Sequence, residues 1–291
     1  MKQLTLSIIA VFLTAVLVTS FTTQHVNIAS NLDLKSALKS EIVTADILSN
    51  GKYSGRSVEM TLTNNKMKSV QILIPAGTMY EPENDDEQTL IQLEDELITL
   101  KPNEKRMVRL AAFCTEAHDS APSSEGTFTL AQNTNPKLKD LISYIDGKSV
   151  SKKAYQDAVW SITDHRPISN IVAEDAETKK FRTHIASLTG QKDTWYTSPQ
   201  NYEQQADGRI NSETVKITGE LKFATDGVTA VHQALCDADG NVLFTGNKAT
   251  PRKNDNTTLR FSVSVKGWEK GDYMVKVIRG DQEIKRFPFK V

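Results

Sequence analysis

The chain has 291 residues, 38% of them hydrophobic and 24% charged, with 35 Lys and Arg against 36 Asp and Glu for a formal net charge of −1. That length favours two domains over one, and the charge balance argues against a nucleic-acid partner, which would need a basic face to displace counterions from phosphates. Only 2 cysteines are present, so this is not a disulfide-stapled scaffold and packed cores must supply the stability.

The first residues read "MKQLTLSIIAVFLTAVLVTSFTTQ". Lys2 supplies a positive start, an apolar run extends to Val18, and "VTS" places small residues before a cleavage point after Ser20. Residues 1–20 therefore read as a secretory signal peptide. An uncleaved anchor is the alternative, because ~17 apolar residues approach the length that spans a bilayer. No cysteine follows the run, so a lipoprotein anchor is not expected, and no later segment is apolar enough for a membrane span.

Residues 31–132 read as an antiparallel β-sandwich. "SVEMTLTN" alternates Val58, Met60 and Leu62 against Glu59, Thr61 and Thr63, a period of two that buries one face of a strand. "SVQILIPAGTMY" gives a second strand, with Pro75 and Gly77 marking a bend or an edge. "TLIQL" gives a third, and "ELITLKPNEKRMVRLAAF" reads as strand, turn and strand with the turn at "KPNE".

The period changes over residues 133–193, a helical unit. Asn135 caps a first helix in which Leu138, Leu141, Ile142 and Ile145 form one stripe and Gly147 ends it. "SKKAYQDAVWSITD" is a second helix, with Ser151 as N-cap and Ala154, Ala158, Val159 and Ile162 on one face. On a helical wheel Trp160 is displaced from that face by ~100–200°. It should meet another helix or the polar segment near Trp195. "DAETKKFRTHIASLTG" is a third helix, capped by Asp175 and closed by Gly190.

Residues 194–214 are polar with Trp195, Tyr196 and Tyr202 interspersed, and read as a linker. Residues 215–291 return to short alternating strands and read as an Ig-like C-terminal β-sandwich. Its hairpins turn at "DADGN" and "RGDQ", and "TLRFSVSV" points Leu259, Phe261, Val263 and Val265 inward. The fold class is mainly β with a helical insert.

Two stretches carry family resemblances. "DADGNVLFTG" followed by "GWEKGDYMVKVIRGDQEIKRFPFKV" resembles the small C-terminal sandwich of proteins exported by the type IX secretion system of Bacteroidetes-like bacteria. Asp237–Gly240 match its turn, Gly271, Tyr273 and Val275 its Gly-x-Tyr strand, and Lys285 and Lys290 its basic final strand. The resemblance covers roughly the last quarter of the chain and implies an envelope or surface destination; a generic β-sandwich module carries the same hairpins. "YQDAVW", with Gln156 and Trp160, resembles the helix motif of thioester domains in Gram-positive adhesins. In that family a Cys sulfur bonds to a Gln side-chain carbonyl, which implies a thioester at Cys114; the helix glutamine is structural there, and the bonding glutamine lies later in the chain. The alternative reading has Trp160 packing the helix on the β-sheet and Gln156 bonding backbone.

Other constellations are incomplete. Cys114 in "AAFCTEAHD" lies near His118, a conceivable nucleophile and base, but Glu116 opposes a thiolate. Cys114 and Cys236 read as free, half-buried thiols. No histidine stands at i, i+4 from another, and no Cys-x-x-Cys occurs, so zinc is not expected. Glu83, Asp85 and Asp86 could face calcium, though a solvated acidic loop explains them. No catalytic, cofactor-binding or metal-ligating residue is assigned. The function that follows is an exported cell-envelope or surface protein, a non-enzymatic binding or structural module whose partner is a protein or glycan of the envelope. A thioester adhesin using Cys114 and a secreted hydrolase of unidentified mechanism are the alternatives.

Overall fold

The computed structural model describes residues 31–291. The signal-peptide reading of residues 1–20 lies outside the described residues. The chain is mainly β with a helical insert, and none of its described helices is long and apolar enough to cross a membrane.

The first unit comprises β1 (Leu32–Asp33), α1 (Leu34–Lys39), β2 (Val43–Asn50), β3 (Ser54–Asn64), β4 (Val70–Ile74), β5 (Thr78–Pro82), β6 (Leu90–Ile91), β7 (Glu96–Leu100), β8 (Lys105–Cys114) and β9 (Ser124–Gln132). Val58, Met60 and Leu62 are fully buried as their alternation dictates. The strands form a closed barrel in the order β2-β3-β8-β6-β5-β9, with a separate sheet β1-β4-β7 beside it. Alternation specifies which side of a strand is buried but not whether the sheet closes, so the sandwich reading of 31–132 becomes a barrel with a small companion sheet. The bend at Pro75–Gly77 is where the chain changes sheets. β4 pairs with β7, and β5, just after the bend, pairs with β6 and β9. The "KPNE" turn does separate two strands, but they do not pair with each other: β7 joins β4, while β8 joins β3 and β6.

The helical insert holds α2 (Pro136–Ile145), α3 (Tyr155–Thr163) and α4 (Ala176–Thr189). Asn135 accepts hydrogen bonds from the N–H groups of Lys137 and Leu138, and Asp175 from that of Thr178, so both caps work as the sequence indicates. Ser151 makes no side-chain cap bond. A 3₁₀ turn, Lys152–Ala154, leads into α3 instead and carries the chain into the helix without a side-chain cap.

The linker reading of 194–214 is corrected. After β10 (Tyr196–Thr197) the segment folds into a hairpin, β11 (Gln200–Gln204) with β12 (Ile210–Thr214). The "DG" at 207–208 is a hairpin turn signal, and Gly208 sits at φ +81 with Ser120 and Ala121 so close that a side chain would crowd them.

The C-terminal unit comprises β13 (Lys216–Thr225), β14 (Val231–Cys236), β15 (Val242–Thr245), β16 (Asn254–Ser264), β17 (Asp272–Arg279) and β18 (Gln282–Lys290). Sheet β10-β13-β16 faces sheet β15-β14-β17-β18 across a shared core containing Ile217, Leu221, Phe223, Leu235, Val275 and Val277. The turns at Asp237–Gly240 and Gly280 lie where the sequence puts them. Phe261 and Val265 are buried, while Leu259, on the same face opposite the buried Leu221, stays 38% exposed on the edge strand β16. Trp195 and Tyr196 also belong to this core, so its boundary falls before 215. The Trp195 indole N–H donates to the Pro288 carbonyl at 2.6 Å, and its ring packs against Phe261, Phe287 and Phe289. Gly219 passes under that tryptophan so closely that a Cβ would lie 2.4 Å from the Trp195 carbonyl oxygen.

Two outcomes follow. A fragment beginning at 194 should unfold cooperatively, whereas one beginning at 215 should be less stable by at least ~3 kcal/mol, because it loses two packed aromatics; urea titration of both fragments checks this. Gly219→Ala in the full chain should cost about 1–3 kcal/mol by overpacking against Trp195, read as a lowered denaturation midpoint.

Candidate functional site

The residues that the sequence singles out do meet. Cys114 ends β8 opposite Leu90 of β6, with its side chain in the barrel core. Its main-chain N–H donates to the Tyr53 carbonyl at 3.0 Å and also to Gln156 Oε1 at 3.1 Å. In return Gln156 Nε2 donates to the Cys114 carbonyl at 2.8 Å. A side-chain amide on α3 thus pairs with the Cys114 backbone as a neighbouring strand would, at the point where the ladder of β8 ends. Both partners are buried, so each bond replaces one that water would otherwise supply.

Trp160 lies four residues after Gln156, on the same helical face. It is fully buried and joins the barrel core, while Ala158, Val159 and Ile162 pack in a second core with Ile91, Phe113 and the other helices. The helix is therefore wedged between two cores. The Trp160 ring stacks on Tyr53 with centroids 5.9 Å apart and meets Tyr202 edge-on at 5.1 Å. The Arg166 guanidinium lies 4.9 Å from its ring centre. Trp160 thus meets the polar segment, as its place on the wheel predicts, but through Tyr202 of the hairpin and not near Trp195.

Beside Trp160, Asp157 accepts a very short hydrogen bond from the Tyr202 hydroxyl. Burial raises its carboxyl pKa to about 6, against the opposing effects of the Tyr202 hydrogen bond and the Arg166 charge. At the other end of α3, Asp164 Oδ1 accepts from the Ala117 N–H at 3.1 Å. At the start, the Tyr155 hydroxyl donates to Glu94 at 3.2 Å, and burial pushes the Tyr155 phenol up to about 12. Tyr53, Asp157, Arg166 and Tyr202 are the members of this cluster that sequence reasoning missed. Three of them are isolated in polar or turn-like surroundings, and Asp157 reads as an ordinary exposed helix residue.

What this arrangement can do chemically is limited by burial. Both thiols are free and fully buried, not half-buried. Burial first, and then the Glu116 charge, push the Cys114 thiol well above its ordinary range, which keeps it protonated. His118 is exposed, so it is not buried with the thiol it would have to deprotonate. Glu83, Asp85 and Asp86 are exposed, and among the described residues no group of three or more His, Cys, Asp or Glu is placed to hold a metal ion. Comparison with protein-family models, curated proteins and solved structures gives no match.

Trp160→Ala should cost ~3–5 kcal/mol, the range for a buried large aromatic. Gln156→Ala should cost about 1–3 kcal/mol, since it leaves the Cys114 carbonyl unpaired in a dry site, while the N–H keeps its bond to Tyr53. Chemical denaturation of each variant reads both. Asp157 binds its proton up to about pH 6 when folded but only to its ordinary 3.8 when unfolded. Stability should therefore fall as pH rises from about 4 to 6, by on the order of 2–3 kcal/mol at ~1.4 kcal/mol per pH unit. Asp157→Asn should flatten that part of the stability–pH curve and raise the melting temperature at pH 7.

Proposed function

We propose that this chain is an exported, non-enzymatic binding or structural module of a bacterial cell envelope or surface. One observation carries the non-enzymatic part. Gln156 spends both ends of its amide on the Cys114 backbone, and the thiol itself is buried and protonated. The residues that resemble a reactive pair act as a joint between barrel and helix. The export part rests on Lys2, the apolar run to Val18 and the "VTS" site, with the resemblance of the last strands to secretion-cargo sandwiches in support.

A second reading, the thioester adhesin, is favoured by a different glutamine. Gln88 is fully buried, and its side-chain carbonyl has no hydrogen-bond partner. It stands two residues before Leu90, the residue opposite Cys114, in the irregular segment that leads into β6, with its amide nitrogen donating to the Asp119 carbonyl. In that reaction the Cys114 sulfur would bond to the Gln88 side-chain carbon, and the amide nitrogen would leave as ammonia with the thiol proton. Gln88 precedes the cysteine, whereas the bonding glutamine of the thioester family follows it.

Fractionation with N-terminal sequencing tests export: a mature chain beginning after Ser20 in the envelope or medium is expected, and a cytoplasmic chain that retains Met1 would overturn it. Intact mass separates the two chemical readings. The expected mass is that of the unmodified mature chain, unchanged by methylamine. A mass about 17 Da low, from lost ammonia, with a methylamine adduct on Gln88 that disappears in Cys114→Ser, would replace the non-enzymatic reading.

A further inference from the structure

A cleft of about 560 Å³ lies between α4 and the outer face of sheet β10-β13-β16. Its size is within the range of small-ligand sites, and its position at the junction of two folded units is where such sites concentrate. Strand alternation determines the floor. Lys216, Thr218, Glu220 and Lys222 point to one side of β13, while Ile217, Leu221 and Phe223 point into the core. Across the sheet, Thr197 of β10, Thr218 of β13 and Ser262 of β16 are direct register partners. They form a row of three hydroxyls spanning the floor, with Thr197 and Thr218 bonded to each other at 2.7 Å. Lys216 flanks the row on one side, and the facing pair Glu220 and Arg260 on the other. The opposite wall is α4, which contributes Lys179 and Arg182 one turn apart.

The charge of this cleft departs from that of the chain. Five cations line it (Lys179, Arg182, Lys216, Lys222 and Arg260) against the single carboxylate of Glu220, in a protein whose formal net charge is −1. Arg182 is occupied by Asp193 at 2.9 Å, and Lys222 lies 3.6 Å from Glu220. Among the described residues, no carboxylate comes within ion-pairing distance of Lys179, Lys216 or Arg260. Unpaired cations facing one another across a cleft raise the local concentration of anions. Between those cations the floor carries the hydroxyl row, and the cleft also borders Trp195 and Phe261, whose rings pack against each other towards the sandwich core.

We propose that this cleft binds an anionic oligosaccharide, with the hydroxyl row meeting sugar hydroxyls and Lys179, Lys216 and Arg260 holding its carboxylate or phosphate groups. The row of three side-chain hydroxyls between the cations, able both to donate to and to accept from sugar hydroxyls, favours a glycan over an acidic peptide. The inference gives a ligand class to the binding role proposed above, but it stands on the cleft alone and does not depend on export or on Cys114.

The test is calorimetric titration of the full chain with trigalacturonate for carboxylate, mannose 6-phosphate for phosphate, neutral maltotriose and a hexaglutamate peptide. Trigalacturonate or mannose 6-phosphate should bind, and whichever does so identifies the anionic group. Maltotriose and hexaglutamate should bind at least about tenfold more weakly. The double variant Lys179→Glu/Arg260→Glu should lose about tenfold or more in affinity and most of the salt dependence. Lys105→Glu, an exposed charge reversal on β8 of the barrel, should bind as the wild type does. Ser262→Ala should weaken the glycan and leave hexaglutamate unchanged. No binding by either anionic sugar, or equal binding by the double variant, overturns the proposal. Tighter binding of hexaglutamate than of both sugars replaces the glycan with an acidic peptide. Circular dichroism establishes that each variant is folded, and since the substituted side chains are polar and exposed or line the open cleft, their loss leaves no hole in a core.

Discussion

The architecture turns on the paired hydrogen bonds between the Gln156 amide and the Cys114 backbone. On the side facing β3, the pairing of β8 ends at Cys114 with one bond from its N–H to the Tyr53 carbonyl, and a buried carbonyl left without a partner there would cost about 1–3 kcal/mol. The amide is a two-ended match, acceptor to the N–H and donor to the carbonyl, and it stands on the helix that must be fixed there. Once that pairing sets the height and rotation of α3, Trp160, one turn further on, has a single place to go. It enters the barrel core over Tyr53, while Ala158 and Val159 on the other side complete the helical core. The small alanine lets the second core close against Phe113 and Ile91 on the outer wall of the barrel. A helix wedged between two cores cannot slide without breaking both.

The hairpin 200–214 completes this joint from outside. Tyr202 and Ile210 cover the barrel core, the Gln204 amide donates to the Gly51 carbonyl at 2.9 Å, and the Ala121 N–H donates to the Gly208 carbonyl at 2.8 Å. Arg166 reaches Ser212 at 3.1 Å while its charge lies over Trp160. A strand pair late in the sequence is therefore part of the first unit. The buried Asp157 is a weak point in that strap. Its hydroxyl partner and the nearby guanidinium favour the charged form, but burial outweighs them, so the strap is strongest when the carboxyl keeps its proton.

The sequence made the repetitive parts legible. Alternation in "SVEMTLTN" and the caps Asn135 and Asp175 follow from local rules that act within a few residues, and the structure obeys them. Barrel closure was not legible, because it depends on β9 returning to β2, a contact between strands more than seventy residues apart that leaves no mark on either strand's alternation. The hairpin was legible only through "DG" at 207–208, since its strands are mostly polar with a weak alternation. That Gln156 bonds backbone was legible as the ordinary reading of "YQDAVW", but not that the backbone is that of Cys114, 42 residues earlier. Tyr53, Tyr202 and Arg166 were not legible, because each contributes through distance in space and carries no spacing pattern.

The same division explains the basic cleft. Two cations on α4 and three on β13 and β16 are ordinary solvated charges when read along the chain, and the net charge hides them. They become a site because β10 is shared: Tyr196 is buried in the C-terminal core while Arg182 of α4 donates to the main-chain carbonyls on either side of Trp195, Thr194 at 3.0 Å and Tyr196 at 3.4 Å. The Ser198 N–H donates to the Ser169 carbonyl at 2.7 Å, which ties the strand to the helical unit a second time. These bonds fix the outer face of the sandwich opposite α4, and on that face the hydroxyls and charges of β13 and β16 stand beside Trp195 and Phe261. The orientation that buries Trp195 is thus also the one that opposes the cations across the cleft, which places the ligand-binding geometry and the stability of the C-terminal unit under the same constraint.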